Sequence, residues 1–583
     1  MKDFLKTSLA VVFGIFLYGI LISIIWGLLM VNMMFIEKAQ AKVAPNSVLV
    51  LKLDKPIVDR VNVDNDVFST LMNKKQPIGL DVIVKSIDAA AKDKNISGIF
   101  LHPSLISADW AQTKEIRDAL TRFKQSGKFV YAYADYYLQK SYYLASAADK
   151  VYLNPEGVFV WRGLSAQVLY YKRMLDKIGI DVELIRHGKY KSAGEPYIKD
   201  KMSPENREQY QVFLNSMWNT YLDDVVKSRG LNKDKLNLLA DSLSVRLPKD
   251  ALNYGFVDGL VYYDQFVDTL NHKLGVKKGK FNYITLSKYA ANLKSKTSSD
   301  KIAIIYAQGQ IVDRSTGITQ DEIVGNELAA QIRKARKRKD VKAIVMRVNS
   351  PGGSALASDI IWREVELAKK EKPFIISMSG VAASGGYYIS CAADKIVAQP
   401  MTLTGSIGVF GMFPIADKLV HDKIGITVET VKTNDNAELA NLMQPMSEEV
   451  KDYYRAQIEN IYTTFVNRVA DGRNMTYDEV DAIAQGRVWT GKDAAKIGLV
   501  DTLGGLDVAI DLAAKAANLK KYSFVVYPRK KSFIEVLMNK KQEQIATKAM
   551  KEQLGEFYQY VEPLKDVRNY FGIQARLPYV IKY

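Results

Sequence analysis

The chain carries the same text twice. Ile57-Val58-Asp59-Arg60 returns as Ile311-Val312-Asp313-Arg314, and Tyr142-Tyr143-x-x-x-Ala147-Ala148-Asp149-Lys150 returns as Tyr387-Tyr388-x-x-x-Ala392-Ala393-Asp394-Lys395. Gly179-Ile180-x-Val182-Glu183 returns as Gly425-Ile426-x-Val428-Glu429, and Gly255-Phe256-Val257-Asp258 as Gly498-Leu499-Val500-Asp501. The four shifts are 254, 245, 246 and 243 residues, in order along the chain. A period this long means that each copy is a folding unit, not a short solenoid turn. Within the first copy, apolar strand-like runs (47–53, 96–101, 129–134, 151–153) alternate with helical patterns (110–123, 142–148). That alternation predicts an α/β class with a largely parallel sheet in each copy. With 48% hydrophobic residues, both copies can bury a core.

Ahead of the first copy, residues 7–36 hold no charged side chain. The core from Leu9 to Met34 is long enough to cross a bilayer of about 30 Å at 1.5 Å per residue. Ala39-Gln40-Ala41 resembles a signal-peptide cleavage site, but the apolar stretch exceeds the usual ~7–15 residues, so an uncleaved anchor with Trp26 near an interface is expected. Lys2 and Lys6 before the span balance Lys38 and Lys42 after it, so charge alone does not orient it. The expected organisation is 1–36 anchor, 37–46 linker, 47–286 first repeat, 287–300 linker, 301–525 second repeat and 526–583 basic tail. The tail departs from the repeat and holds an amphipathic helical pattern from Ile534 to Tyr558.

The copies differ where chemistry is expected. Copy two has a strand pattern from Phe374, then Ser379-Gly380-Val381-Ala382-Ala383-Ser384-Gly385-Gly386, then a helical pattern over 389–393. A serine followed by two glycines at a strand-to-helix turn exposes its hydroxyl beside free N–H groups. A second strand pattern, Val341 to Val348, ends in Asn349-Ser350-Pro351-Gly352-Gly353, another turn able to aim N–H groups at an oxyanion. In register, copy one has Gln139 opposite Ser384, Lys140 and Ser141 opposite Gly385 and Gly386, and only Pro103-Ser104 opposite the glycine pair. Copy one instead contains Lys189-Tyr190-Lys191-Ser192-Ala193, where Lys191 aligns with Ala437. One copy thus holds a serine without a lysine and the other a lysine without the serine. A neutral buried lysine can serve a serine as base. Lys189 and Lys191 would share one face of a strand, so spacing does not separate them. None of His102, His187, His272 and His421 sits in a motif.

Taken together, Tyr190-Lys191-Ser192-Ala193, Asn349-Ser350-Pro351-Gly352-Gly353, Ala383-Ser384-Gly385-Gly386-Tyr387 and Thr404-Gly405-Ser406-Ile407-Gly408 resemble the long, double-length form of the signal peptide peptidase A family, serine–lysine peptidases of family S49. The resemblance runs from the anchor to about residue 520. It implies two tandem Clp-protease/crotonase-like repeats, with Ser384 as nucleophile, Lys191 as general base and acid, and Ser406 orienting the lysine. Oxyanion donors would come from Gly385 and from Gly353 or Gly352. It also implies an endopeptidase that degrades remnant signal peptides and other apolar peptides through an acyl-enzyme. That enzyme would be a homo-oligomer, a tetramer, held by one span in the bacterial cytoplasmic membrane, with its body on the extracytoplasmic side. Val381, Met401 and Leu403 are candidates for an apolar substrate pocket.

Two other readings fit the fold: a crotonase-like acyl-CoA enzyme, which would not need Ser384 and Lys191, and a non-catalytic membrane scaffold. No cofactor or metal is expected, since four scattered histidines and one cysteine, Cys391, make no ligand cluster. The net charge of +17 is dispersed apart from residues 333–339, and no nucleic-acid-binding module is recognisable. Attraction to an anionic membrane surface suits the charge better.

Overall fold

The computed structural model describes residues 2–36, 42–61, 77–103, 105–276, 281–293, 297–315, 322–439, 441–529 and 572–576. Ala39-Gln40-Ala41, Lys38 and the amphipathic stretch expected over 534–558 lie outside these. The fold is α/β, with two repeats and one N-terminal apolar helix, Lys2–Ile36. Within that helix, the stretch Lys6–Gly27 is long and apolar enough to cross a membrane, and none of it is buried against the other described residues.

Each repeat is built on a parallel sheet, and the two sheets have one strand order. In the first, the order is Gly259–Leu260, Lys150–Phe159, Phe129–Tyr137, Ile96–His102, Ser47–Lys52, Tyr283–Thr285, all pairs parallel. In the second, Thr502–Leu503, Lys395–Ala398, Phe374–Ala383, Val341–Ser350, Lys301–Gln308 and Ser523–Tyr527 follow the same order, again parallel. The second sheet adds Leu403–Gly405 beside Phe374–Ala383, and Val488–Thr490 antiparallel beyond it.

The repeated residues explain why the order repeats. Asp149 accepts from Val130 N at 2.8 Å, and Asp394 accepts from Phe374 N at 2.8 Å. Asp258 accepts from Val151 N at 2.8 Å and Asp501 from Ile396 N at 2.8 Å. Tyr142 donates its hydroxyl to Phe256 O at 2.9 Å; Tyr387 does the same to Leu499 O at 2.9 Å. Each aspartate satisfies the unpaired N–H that opens a strand, and each tyrosine fills the core while its hydroxyl reaches a loop carbonyl. The polar members of the repeat are therefore the pins that set strand starts.

The linker expected over 287–300 starts later than the polar composition suggests. Leu286–Ala291 is a helix whose Leu286 and Tyr289 are buried in the first repeat's core. Tyr289 also reaches Asp93 at 3.1 Å.

A third sheet joins the repeats: Glu322–Val324, Gln310–Val312, Gly352–Ser354, Gly572–Arg576, Val409–Ile415, Asp181–His187. Its last strand is a piece of copy one. Asp181–His187 pairs antiparallel with Val409–Ile415 of copy two over seven residues, from Asp181↔Ile415 to His187↔Val409. The repeats also meet where Arg347, on the Val341–Ser350 strand of copy two, is buried against two carboxylates of copy one, Asp59 and Glu115, each at 2.8 Å. Asp59 also accepts from Ser379 Oγ at 2.6 Å and Asn349 Nδ2 at 2.6 Å. One aspartate of the repeated Ile-Val-Asp-Arg segment thereby ties together the ends of the two strands that carry the serine and glycine turns.

Candidate active site

The strand expected from Phe374 runs to Ala383, longer than its opening apolar run suggests, because small residues continue it between two neighbouring strands. The helix that follows is Gly385–Tyr388, four residues earlier than expected, with 389–393 forming turns instead. Ser384 stands at the junction with φ 56° and ψ −118°, a region that a side chain rarely adopts. It is held there from both sides. Its N–H donates to Gly405 O at 2.8 Å, and its carbonyl accepts from Tyr387 N at 2.9 Å and Tyr388 N at 2.8 Å. The first N–H groups of such a helix have no acceptor within it. A hydroxyl so placed has free donors next to it.

The lysine arrives from the other repeat. After the Asp181–His187 strand the chain turns, and Lys189 lies exposed on the turn with its Nζ 5.3 Å from the Tyr190 ring centroid. The two lysines do not share a strand face. Lys191 is 1% exposed, and its Nζ lies 2.8 Å from Ser384 Oγ, 3.0 Å from Ser406 O and 3.1 Å from Ser406 Oγ. The backbone around it is fastened: Arg186 donates to Lys191 O at 2.7 Å, and Gln209 donates to Tyr190 O at 3.1 Å. Burial pushes the Lys191 ammonium well below the ordinary lysine range, the cause being desolvation of the charged form. A neutral amine within reach of a hydroxyl can take its proton.

Two glycines that the sequence did not single out for this role make room for the lysine. A methyl group on Gly486 would come within 2.6 Å of Lys191 N, and Gly486 has φ 79°. One on Gly408 would lie 3.2 Å from Lys191 Cδ. Gly408 was visible as part of the segment around Ser406; Gly486 carried no signal, being a lone glycine between helix and strand patterns.

Gly352 and Gly353 lie in the short strand Gly352–Ser354 that borders the serine turn. An ideal Cβ on Gly352 would sit 2.7 Å from Gly385 N, so the two glycine turns meet. The Gly352 N–H already donates to Ser350 Oγ at 3.2 Å. Gly353 is paired with Ile311 on one side and Ala575 on the other.

Other expected residues lie elsewhere. Met401 and Leu403 are buried in the core cluster of the first repeat, and Val381 is partly buried against the same cluster. His187 turns away to Glu459 at 2.6 Å and stacks on Tyr462. His421 reaches Asp417 at 2.6 Å, and His102 stacks on Phe100. His272 lies in the last turn of the Tyr263–Leu274 helix. Asp59 and Arg347 were not foreseen as parts of the site. The only trace of the first was its place in a repeated segment.

Comparison with known proteins agrees with this picture at the level of the chain. A family model described as Peptidase family S49 matches residues 122–277 and 366–520, one stretch in each repeat. "Protease 4" of Salmonella typhi is 37% identical over 508 residues, which are 84% of this chain and 82% of that protein. "Protease 4" of Haemophilus influenzae is 37% identical over 506 residues, 83% and 81% of the two chains. The chloroplastic serine protease SPPA of Arabidopsis thaliana is 35% identical over 466 residues, 78% and 68%.

Proposed function

The chain belongs to peptidase family S49, and from that premise we propose a membrane-anchored serine endopeptidase in which Ser384 is the nucleophile and Lys191 the base. The observation that carries this reading is the 2.8 Å approach of Lys191 Nζ to Ser384 Oγ in a buried setting. In the first step the neutral amine takes the hydroxyl proton as Oγ adds to the substrate carbonyl. The Gly385 N–H at the helix start and the Gly353 N–H stabilise the oxyanion; Gly353 is preferred because Gly352 is directed at Ser350. Collapse of the adduct passes the proton from Lys191 to the leaving amine and leaves an acyl ester on Ser384. Water, activated by the same lysine, releases the acid. Ser406 holds Nζ toward Ser384 through its hydroxyl and carbonyl oxygens.

The N-terminal helix serves as a single-pass anchor in the cytoplasmic membrane, and the body works on the extracytoplasmic side as a homotetramer. Its substrates are apolar peptides, foremost the remnants of signal peptides, which a membrane-held enzyme meets where they are left. The test uses the detergent-solubilised full chain with a fluorogenic apolar peptide and an acyl-trapping inhibitor. Cleavage, with mass added at Ser384, is expected for the wild type. Both should vanish in Ser384→Ala, while in Lys191→Ala cleavage should fall by about 10³-fold or more. Persistent cleavage in a folded Ser384→Ala protein would remove the proposal.

A further inference from the structure

One strand of the third sheet plays no part in the chemistry above. Gly572–Arg576 comes from the last twelve residues of the chain and lies between two strands of copy two. On one side it runs antiparallel to the glycine strand: Gly352↔Arg576, Gly353↔Ala575, Ser354↔Gln574. On the other it runs antiparallel to Val409–Ile415: Phe410↔Gln574, Gly411↔Ile573, Met412↔Gly572. Without it, these two strands would present facing edges about 9.6 Å apart, twice the spacing of neighbouring strands. Such a slot accepts one extended peptide through its backbone, whatever the sequence.

The slot leads to the serine. Ala575 is fully buried. Its carbonyl oxygen lies so close to Gly352 that any Cβ there would overlap it, and it lies 3.0 Å from where a Cβ on Gly385 would be. Gly385 is the residue after Ser384. The Ala575 carbonyl thus sits against both glycine turns, one of which begins at the residue after Ser384. Gly352 has φ 98°, so glycine is required there twice over, by its backbone and by this contact.

We propose that residues 572–576 are an intramolecular occupant of the peptide groove, in substrate register with the Ala575 carbonyl facing Ser384, and that a peptide must displace this strand to be cleaved. This rests on the peptidase reading above. It also names the substrate class: an extended segment with a small side chain at the position of Ala575, because that residue is wholly enclosed.

The test compares, in one detergent, the full chain, a chain ending at residue 571 and full-length Ala575→Trp, using one fluorogenic apolar peptide. Both variants are expected to lower KM by about tenfold or more with kcat little changed, since an internal competitor is lost. A synthetic peptide of residues 570–583, added to the shortened chain, should inhibit competitively, and the same peptide with tryptophan for Ala575 should not. If the shortened chain fails to fold, judged by circular dichroism, the KM of Ala575→Trp and inhibition of that variant by the same peptide decide instead. Equal KM values with no inhibition by the peptide would overturn the proposal and leave the peptidase standing. Absence of any cleavage, and of any Ser384 acylation, in all three folded proteins would instead sink the peptidase reading itself.

Discussion

The amine of Lys191 is surrounded by two hydroxyls and a carbonyl oxygen, with burial as the one cause of its lowered pKa. An ammonium there meets neutral acceptors but no compensating carboxylate among the described residues, so burial favours the neutral form. The folded pKa is lowered, so below the ordinary lysine value of 10.5 the unfolded chain binds the proton and the folded one does not. Stability therefore falls as pH drops from that value toward the folded pKa, by about 1.4 kcal/mol per unit. Lys191→Met should raise the melting temperature at pH 7 and do so less at pH 10, as thermal unfolding at the two pH values would reveal. The kcat/KM of the wild type should rise with pH through an apparent pKa below 10.5. Ser406→Ala should lower kcat by about 10–100-fold and displace that profile, leaving KM nearly unchanged, as a positioning role demands. The serine and the lysine were legible because the repeat register exposed what each copy lacks. The choice between Lys189 and Lys191 was not, because alternate residues share a face only on a strand and the chain turns at Gly188.

At the scale of elements, one strand makes the site composite. Asp181–His187 is held across seven pairs to Val409–Ile415, so the lysine enters from a rigid edge. The final step of its placement is spatial: Lys191 passes between Gly408 and Gly486. Gly486→Ala is expected to cut activity by 10²-fold or more while the protein stays folded, as a peptide assay beside circular dichroism would show. Gly408→Ala should also lower activity, since a Cβ there would lie 2.8 Å from Gly486 Cα and press that glycine toward the lysine. The element pattern was largely readable, since apolar runs marked strand after strand in the right order. Strand ends were not. Phe374–Ala383 outlasts its apolar run because small residues, not large ones, continue it, and small residues also signal turns. Ser406 came from family likeness, since a serine in a turn has no signature of its own; the two glycine turns were readable because each closes an apolar strand pattern. The tail strand was illegible, for five residues between glycine and arginine carry no period, and their partners lie over 150 residues away.

Across the whole molecule, the two repeats meet through a buried ion network as well as a shared sheet. Arg347 is paired with Asp59 and Glu115 of the other repeat; burial tends to raise the Glu115 pKa and the arginine opposes it. Arg347→Met would strand two enclosed carboxylates, and a loss of roughly 3–5 kcal/mol is expected by denaturant titration. Activity should fall with it, because Asp59 also holds Ser379 and Asn349 next to the two glycine turns. Length and composition gave no hint of this seam. A lone Asp59 in one copy and a lone Arg347 in the other become partners only after the copies have docked.

The seven-pair zipper between Asp181–His187 and Val409–Ile415 has an evolutionary corollary. On the proposed mechanism each half lends the other a reactive group across this seam, so the doubled gene cannot shed either copy. The duplication became a ratchet: a truncated descendant would inherit a nucleophile with no proton acceptor, or an acceptor with no nucleophile.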